Sequence, residues 1–165
     1  MENPVAKHLM MQWEWMLNWV NGPLTSLSDE DLLNTITESG NSGIWILGHL
    51  VISDDDFSLY MGKGDFIYPG YREYFASGSV QRPVNDYPPV KELREAWINV
   101  CEKNRTIYLS LTDEELEQPH ARINVEGEDF VKTKAEVAGV WQFHQVYHAG
   151  QLGVLLSKIR KQKSL

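Results

Sequence analysis

The chain contains one cysteine, Cys101, and few basic residues for its 165 positions. A single cysteine excludes a disulfide within the chain and a metal cluster held by several thiolates, and it is typical of a reducing compartment. The 15 Lys and Arg residues are outnumbered by 23 Asp and Glu residues, which gives a formal net charge of -8, and the only basic block is the tail at 158–163. Proteins that bind nucleic acid need a positive surface. We therefore expect a cytoplasmic protein that binds no nucleic acid.

No hydrophobic run is long enough to cross a membrane. The longest, at about 44–52, contains His49 and is less than half of the roughly 20 residues that a spanning helix needs. The segment MENPVAKHLM at the start lacks the apolar stretch of a signal peptide. We therefore expect no membrane association. Hydrophobic residues make up 42% and charged residues 23%, which together with the length favours one globular domain over 1–165.

Apolar residues recur at intervals of three and four in four segments, which is the spacing of amphipathic helices. The first predicted helix starts near Ala6 and ends at the Asn-Gly-Pro sequence 21–23, and the second covers about 44–61. The third starts at the proline pair 88–89, and the fourth runs from a capping box at 133–136 to about residue 160. Four long amphipathic helices predict an all-α protein that folds as a four-helix bundle.

Two connections between the predicted helices are irregular. Residues 62–88 are rich in Gly, Pro and Tyr, and a connection of this length can carry the chain along the bundle, so a simple up-and-down topology does not follow from the helices alone. Residues 122–131 alternate apolar and polar side chains around Glu126-Gly127, which predicts a small hairpin or an extended loop.

The fourth predicted helix carries two histidines on its apolar stripe. His144 and His148 are four residues apart, and Gln151 continues the same face. Two imidazoles one turn apart can bind one metal ion. The alternative is a buried pair that only hydrogen-bonds to neighbouring helices. The protease motif H-E-x-x-H is absent from this segment, because Gln145 occupies the position of the catalytic glutamate.

A third histidine favours the metal site over the alternative. His49 lies within the apolar segment WILGHLVI of the second predicted helix and should also face the core. Three inward histidines from two helices can share one divalent cation, and three protein ligands leave the open position that is typical of catalytic zinc sites. His8 and His120 fall outside the stripes and are predicted to be solvated.

Two further side chains are candidate catalytic residues. Asp56 follows His49 by seven residues on the same helix face, where it would be a fourth ligand, a partner of a ligand or a base; a solvated carboxylate is the alternative. Gln151 is placed to hydrogen-bond a water on the metal or a substrate, and Tyr147 to line the mouth of the site. Cys101 is interpreted as a small buried hydrophobic residue.

With these histidines in place, the chain resembles the DinB/YfiT-like superfamily of metalloenzymes. The resemblance rests on NSGIWILGHL at 41–50, on HQVYHAGQL at 144–152, and on the order and separation of the helices. It implies an up-down-down-up four-helix bundle, a homodimer, and a divalent metal, nickel or zinc, on His49, His144 and His148. Characterised relatives include transferases and an isomerase that use low-molecular-weight thiols such as mycothiol or bacillithiol.

The site and the resemblance lead to two classes of function. In the first, the chain is a metal-dependent enzyme in which an external small thiol, bound as a thiolate, attacks a small-molecule electrophile held under 62–88; metal-dependent hydrolysis is the alternative chemistry. In the second, the metal only stabilises a non-catalytic, dimeric bundle. Met11, Trp15 and Trp19 form a second stripe on the first helix, which suits a partner surface or burial under 62–88.

Overall fold

The computed structural model describes residues 2–38 and 40–164, and every regular element in those two segments is helical. Seven α-helices follow one another in these segments: α1 Pro4–Ser26, α2 Asp29–Leu32, α3 Gly43–Met61, α4 Arg72–Phe75, α5 Val90–Ser110, α6 Asp113–Leu116 and α7 Lys134–Lys163. Two 3₁₀ turns, Pro69–Tyr71 and Val84–Asp86, lie between α3 and α5. The long helices α1, α3, α5 and α7 pack around one apolar core, so the prediction of an all-α four-helix bundle is confirmed.

Helix α3 lies between α5 and α7. Its Phe57 ring stacks on Tyr108 of α5 with centroids 4.9 Å apart, and Asn104, one turn earlier on α5, donates to the backbone carbonyl of Asp54 at 2.8 Å. The residue numbers rise together along both helices, so α3 and α5 run parallel. That direction requires the connection 62–88 to travel back along the bundle, as its length indicated.

The last long helix, α7, runs antiparallel to α3. Trp141, near the start of α7, donates its indole N–H to the carbonyl of Ser53 at 2.6 Å. His148, two turns later, meets the earlier residue His49 with ring centroids 4.9 Å apart. The residue numbers therefore rise on one helix as they fall on the other.

The first long helix, α1, runs antiparallel to α5. Trp13 stacks on Tyr108 with centroids 5.0 Å apart, whereas Asn21 accepts from the indole N–H of Trp97 at 2.9 Å. Together with the other two pairs, this contact gives the directions up, down, down and up along the chain. The topology that the family resemblance implied is therefore confirmed.

Helix α1 is longer than predicted. It continues through Pro23 to Ser26, instead of ending at 21–23. A proline inside a helix costs about 3 kcal/mol, because it lacks the amide hydrogen and crowds the preceding turn. Leu24 and Leu27 extend the buried stripe beyond the proline, and the amide of Leu27 donates to the Pro23 carbonyl at 3.0 Å. These contacts offset the cost and keep the last turn helical.

The connection 62–88 is held against α3 by a buried carboxylate. Asp55 accepts from the backbone amides of Ile67 and Tyr68 at 2.9 and 2.8 Å, and it forms an ion pair with Lys103 of α5. Charge-assisted hydrogen bonds of this kind are stronger than neutral ones. The anchoring places α4 against α3, where α4 reaches the candidate site.

The segment 122–131 forms a series of turns and not a hairpin. His120, predicted to be solvated, is 1% exposed, so that prediction is wrong. Its Nε2 donates to the carbonyl of Val131 at 3.1 Å, and its Nδ1 accepts from the amide of Arg122 at 3.2 Å. The ring is buried because it satisfies backbone groups at both ends of the loop. His8 is exposed, as predicted.

The second apolar stripe of α1 lies on the surface. Met11, Trp15 and Trp19 are 42%, 62% and 63% exposed. Burial of this stripe under 62–88, one of the two alternatives, is therefore wrong, and a partner surface stays a prediction. None of the helices in the described segments has the length and apolar character that crossing a membrane requires.

Candidate metal centre

Three histidines converge where α3 meets α7. The Nε2 atom of His144 lies 3.0 Å from the Nε2 atoms of both His49 and His148. Each of the three rings offers a nitrogen within 4.8 Å of the other two. Ligands about 2.0–2.1 Å from a tetrahedral zinc ion lie roughly 3.3 Å apart. The three nitrogens are therefore spaced to hold one divalent ion.

Helix geometry brings the three rings together. His144 and His148 are one turn apart on α7, so both project toward α3. Helix α3 starts less than two turns before His49, where the Ser42 hydroxyl accepts from the amide of Trp45 at 3.3 Å. Nearly all of α3 is buried, which keeps His49 inside the bundle. The ring of Trp45 stacks on His49 with centroids 4.7 Å apart and covers one of its faces.

Two of the rings are held in a defined tautomer. His49 Nδ1 lies 2.7 Å from the Phe75 carbonyl oxygen, and His148 Nδ1 lies 2.7 Å from Gln151 Oε1. Both oxygens only accept, so both Nδ1 atoms carry the hydrogen and both Nε2 atoms present a lone pair to His144. One hydrogen on His144 Nε2 satisfies only one of these lone pairs, whereas a cation satisfies all three nitrogens. The donor set therefore fits a divalent metal.

Burial keeps the three imidazoles neutral. It lowers the pKa of His144 to about 3 and the pKa of His148 to about 4, and the neighbouring histidines add to the effect. Burial also lowers the pKa of His49, although the Phe75 carbonyl acts in the opposite direction. Neutral imidazole is the form that binds a metal. All three rings are thus in their ligating form around neutral pH.

A cavity of about 320 Å³ opens beside the histidines. Its lining residues are His49, Ser53, Asp56, Ser77, Phe130, Val140, Trp141 and His144. Three of these side chains are large and apolar, and the others add two hydroxyls and one carboxylate to the histidines. Ligand sites combine an apolar wall with a few polar groups in this way, and the volume suits a small molecule. Tyr147, predicted at the mouth, is not among the described residues that line this cavity.

Asp56 lines the cavity. Among the described residues, the group close enough to share one metal ion consists of the three histidines and does not include Asp56. Its carboxylate forms an ion pair with Arg72 of α4, whose guanidinium also lies over the Phe66 ring, 4.9 Å from the centroid. Burial raises the pKa of Asp56 to about 6, although Arg72 lowers it. Its role as a fourth ligand, a partner of a ligand or a base stays a prediction.

Gln151 hydrogen-bonds to a histidine of the centre. Its Oε1 accepts from His148 Nδ1, and its Nε2 donates to the hydroxyl of Tyr147 at 3.3 Å. An acceptor on the far nitrogen of a metal-binding histidine orients the ring and raises its basicity. The position of Gln151 therefore suits the orientation of His148, and its predicted contact with a water or a substrate stays a prediction.

Sequence reasoning missed two sets of buried groups. The Phe75 carbonyl comes from the connection 62–88, and a backbone oxygen leaves no signal in the sequence. Asp54, Asn104 and Gln145 form a polar cluster between α3, α5 and α7. The signal for this cluster was Asn104, which interrupts the apolar stripe of its helix.

Comparison with known families identifies the family of this chain. The sequence model of the DinB superfamily matches residues 5–152, which include all three histidines. That span is well over half of the chain and reaches from α1 into α7. No curated protein matches the chain.

Proposed function

We propose that this chain, which belongs to the DinB superfamily, is a divalent-metal-dependent enzyme that joins an external low-molecular-weight thiol to a small molecule. The reaction is transfer of the thiol sulfur to an electrophilic carbon, or an isomerisation assisted by that addition. The observation that carries the proposal is the convergence of three neutral imidazole nitrogens beside a cavity.

The ligands set the charge at the centre. Nickel or zinc bound to three neutral histidines would keep its full positive charge and an open position, where it favours the thiolate form of a thiol. The Phe75 carbonyl and Gln151 hold two of the rings, so that their Nε2 atoms stay directed at the centre. The chain thus supplies three uncharged ligands and orients two of them through hydrogen bonds.

The thiol has to come from outside the chain. Cys101, the only cysteine in the sequence, lines a different groove, between α1 and α5. Burial raises the pKa of this thiol, and a negative charge on Asp54 would raise it further, so Cys101 stays protonated. A small thiol that enters the cavity is therefore the nucleophile that this chemistry requires.

Side chains of the cavity provide the remaining groups. Trp141, Phe130 and Val140 form an apolar wall that excludes water and receives the electrophile. Asp56 accepts the proton that the thiol loses, because burial brings the pKa of its carboxyl close to neutrality. The C–S bond then forms at the electrophilic carbon. In a transfer, the leaving group departs with the electron pair of the bond that breaks. In an addition, the electrons of the broken π bond take up the proton that Asp56 holds.

Elemental analysis tests the metal site. The untagged protein, purified without added metal, is expected to hold about one divalent ion per chain, and His148→Ala is expected to hold none. His8→Ala, which changes an exposed histidine, is the matched control and should keep the ion. A parent protein that neither retains nor takes up a divalent ion would refute the proposal.

A transfer assay separates the chemistries. The metal-loaded protein should consume a low-molecular-weight thiol and an electrophile together, and His148→Ala should not. Turnover that proceeds without added thiol would assign the site to hydrolysis instead. Metal binding without turnover, across a panel of thiols and electrophiles, would favour the non-catalytic bundle.

We also propose that the chain forms a homodimer through the exposed aromatic face between α1 and α7. Trp15 and Trp19 of α1, together with Phe143 of α7, border a groove of about 260 Å³, and Phe143 is 76% exposed. Contiguous apolar surface of this kind marks contact sites in globular proteins. The self-association of the parent protein, measured by light scattering, tests this part of the proposal.

A further inference from the structure

A second polar cluster lies in the core, and none of its three side chains lines the cavity beside the histidines. It joins Asp54 of α3, Asn104 of α5 and Gln145 of α7, which are 2%, 1% and 1% exposed. Gln145 Nε2 donates to Asp54 Oδ1, and Asn104 Nδ2 donates to the backbone carbonyl of Asp54 at 2.8 Å. One residue of α3 is therefore tied to both neighbouring long helices.

Three oxygen atoms of this cluster have no hydrogen-bond partner within the described part of the chain: Asp54 Oδ2, Asn104 Oδ1 and Gln145 Oε1. Buried polar atoms are nearly always paired, and each unpaired one weakens the fold. The three oxygens cannot pair with one another as bare acceptors, because none of them brings a hydrogen. The cluster therefore lacks hydrogen-bond donors.

Rotation of the amides does not supply these donors. Turning the Gln145 amide by half a turn would place its oxygen against Asp54 Oδ1, an acceptor against an acceptor. Turning the Asn104 amide would place its oxygen against the backbone carbonyl of Asp54 in the same way. The amide orientations are thus fixed by the bonds that they already make, and the missing hydrogens must come from elsewhere.

We propose that Asp54 is a neutral carboxylic acid in the folded protein and that it shares one enclosed water molecule with Asn104 and Gln145. The hydrogens then balance. The Oδ2–H group of Asp54 donates to the water, and the water donates one hydrogen to Asn104 Oδ1 and the other to Gln145 Oε1. An ionised Asp54 brings no hydrogen, so the same water would leave one of the three oxygens unpaired. Enclosed waters in proteins make about three hydrogen bonds of this kind.

The charged groups near Asp54 favour the neutral acid. Burial raises the pKa of Asp54 to about 8, helped by Asp56 on the same helix, although the two amides and Lys103 act in the opposite direction. The ammonium group of Lys103 is bound to Asp55, with which it forms an ion pair, so its charge is already compensated.

Within residues 2–38 and 40–164, the other side chains that face Asp54 bring no positive charge. From α5, Cys101 and Tyr108 are both neutral, because burial raises the pKa of each and a negative charge on Asp54 would raise it further. From α7, the side chain in contact is the uncharged amide of Gln145. Protonation of Asp54 therefore removes a buried negative charge that no free positive charge compensates.

The direction of the pH dependence follows from the raised pKa. An unfolded chain releases the Asp54 proton above a pKa of 3.8, whereas the folded protein keeps it until the pH approaches about 8. Between these values the folded state binds the additional proton, so the contribution of Asp54 to stability falls as the pH rises. Asp54→Asn keeps the shape and a donor toward the water but cannot ionise, and this dependence should disappear.

Infrared spectroscopy tests the protonation state directly. Near neutral pH, the parent protein is expected to show the C=O stretch of a buried carboxylic acid, and Asp54→Asn is expected to lack it. Asp31→Asn is the matched control, because Asp31 of α2 is also a buried carboxylate but lies in an ion pair with Lys163, and this variant should keep the band. A parent spectrum without the band overturns the proposal.

Unfolding in denaturant across the pH range gives a second readout. Between about pH 5 and pH 7, the unfolding constant of the parent, divided by that of Asp54→Asn, should rise about tenfold per pH unit. A ratio that does not change with pH overturns the neutral acid. A parent stability that rises with sodium or potassium concentration, and does not in the variant, also overturns it, because a cation then compensates an ionised carboxylate.

A third variant keeps the test open if Asp54→Asn does not fold. Gln145→Met preserves the length of the side chain and removes the hydrogen bond to Asp54 Oδ1, which is the C=O oxygen of the proposed acid. The infrared band should move to higher frequency in this variant. A band that stays in place does not belong to Asp54 and refutes the assignment.

Discussion

Gly48→Ala, which adds one methyl group, tests whether the Phe75 carbonyl orients His49 for metal binding. Gly48 precedes His49 on α3, and the ring of Phe75 covers it. A Cβ atom at residue 48 would come within 2.5 Å of three carbons of that ring, closer than van der Waals contact allows. Because Phe75 also supplies the carbonyl that accepts from His49 Nδ1, a displaced ring would move that acceptor.

The Phe75 ring has little room to move. It is fully buried, it stacks on Tyr87 with centroids 5.3 Å apart, and it meets Tyr71 edge to face at 6.3 Å. Overpacking of a core costs about 1–3 kcal/mol, and alanine favours a helix over glycine by about 1 kcal/mol. We therefore expect Gly48→Ala to lower the free energy of unfolding by up to about 2 kcal/mol.

The larger effect of Gly48→Ala is expected on metal affinity. Loss of the outer hydrogen bond of a metal-binding histidine weakens binding about 10- to 100-fold. The variant should show a loss of this size, because His49 would no longer be oriented by the Phe75 carbonyl. Competition between the metal-free protein and a chelator of known affinity measures the change.

Gly150→Ala is the matched control for this experiment. Residue 150 lies on α7 two positions after His148, and an added Cβ atom there meets no other atom within 4 Å. The control should leave metal affinity unchanged and raise the free energy of unfolding by about 1 kcal/mol through helix propensity. If Gly48→Ala binds the metal as tightly as Gly150→Ala does, the Phe75 carbonyl does not hold His49 for metal binding.

Three other changes act on the centre or on the dimer face. Gln151→Ala should weaken metal binding about 10- to 100-fold in the same competition, because His148 Nδ1 loses its acceptor, whereas Gln151→Glu keeps an acceptor and most of the affinity. The metal-free protein should lose stability as the pH falls from about 6.5 toward 4. Histidines in the unfolded chain take up protons in this range, whereas His144 and His148, with pKa values of about 3 and 4 in the folded protein, do not. His144→Phe should make the free energy of unfolding, measured in urea, depend less steeply on pH, and an unchanged dependence would contradict the lowered pKa of His144. Trp19→Glu should convert a dimer into a monomer in light scattering, and a monomeric parent would reject the dimer.

The helices and the histidines were predictable because both depend on local spacing. Apolar residues at intervals of three and four mark α1, α3, α5 and α7, and a separation of four residues places His144 and His148 on one face in any helix. His49 could be added to the pair because an imidazole within a wholly apolar segment is buried in any bundle that forms. The family resemblance supplied the topology, which periodicity alone left open.

The groups that surround the histidines were not predictable in this way. The Phe75 carbonyl and Arg72, which meets Asp56, both arrive from 62–88, and the path of that segment depends on contacts with distant helices. His120 was placed wrongly for the same reason, since its partners are backbone groups of a loop without any periodic pattern. Tertiary contacts decide such positions, and spacing along the chain does not report them.

Because helix α3 is almost wholly buried, a few polar contacts decide how it is rotated about its own axis. Its residues are buried on nearly all sides, so apolar packing alone does not favour one rotation of the helix over another. Polar contacts near the histidines favour one rotation. They join His49 to the Phe75 carbonyl, Trp141 to the Ser53 carbonyl, and Asp54 to Gln145. A rotated α3 would leave these groups buried and unpaired, which costs more than an exchanged apolar contact. The cluster at Asp54 therefore helps to set the rotation at which His49 faces the histidines of α7.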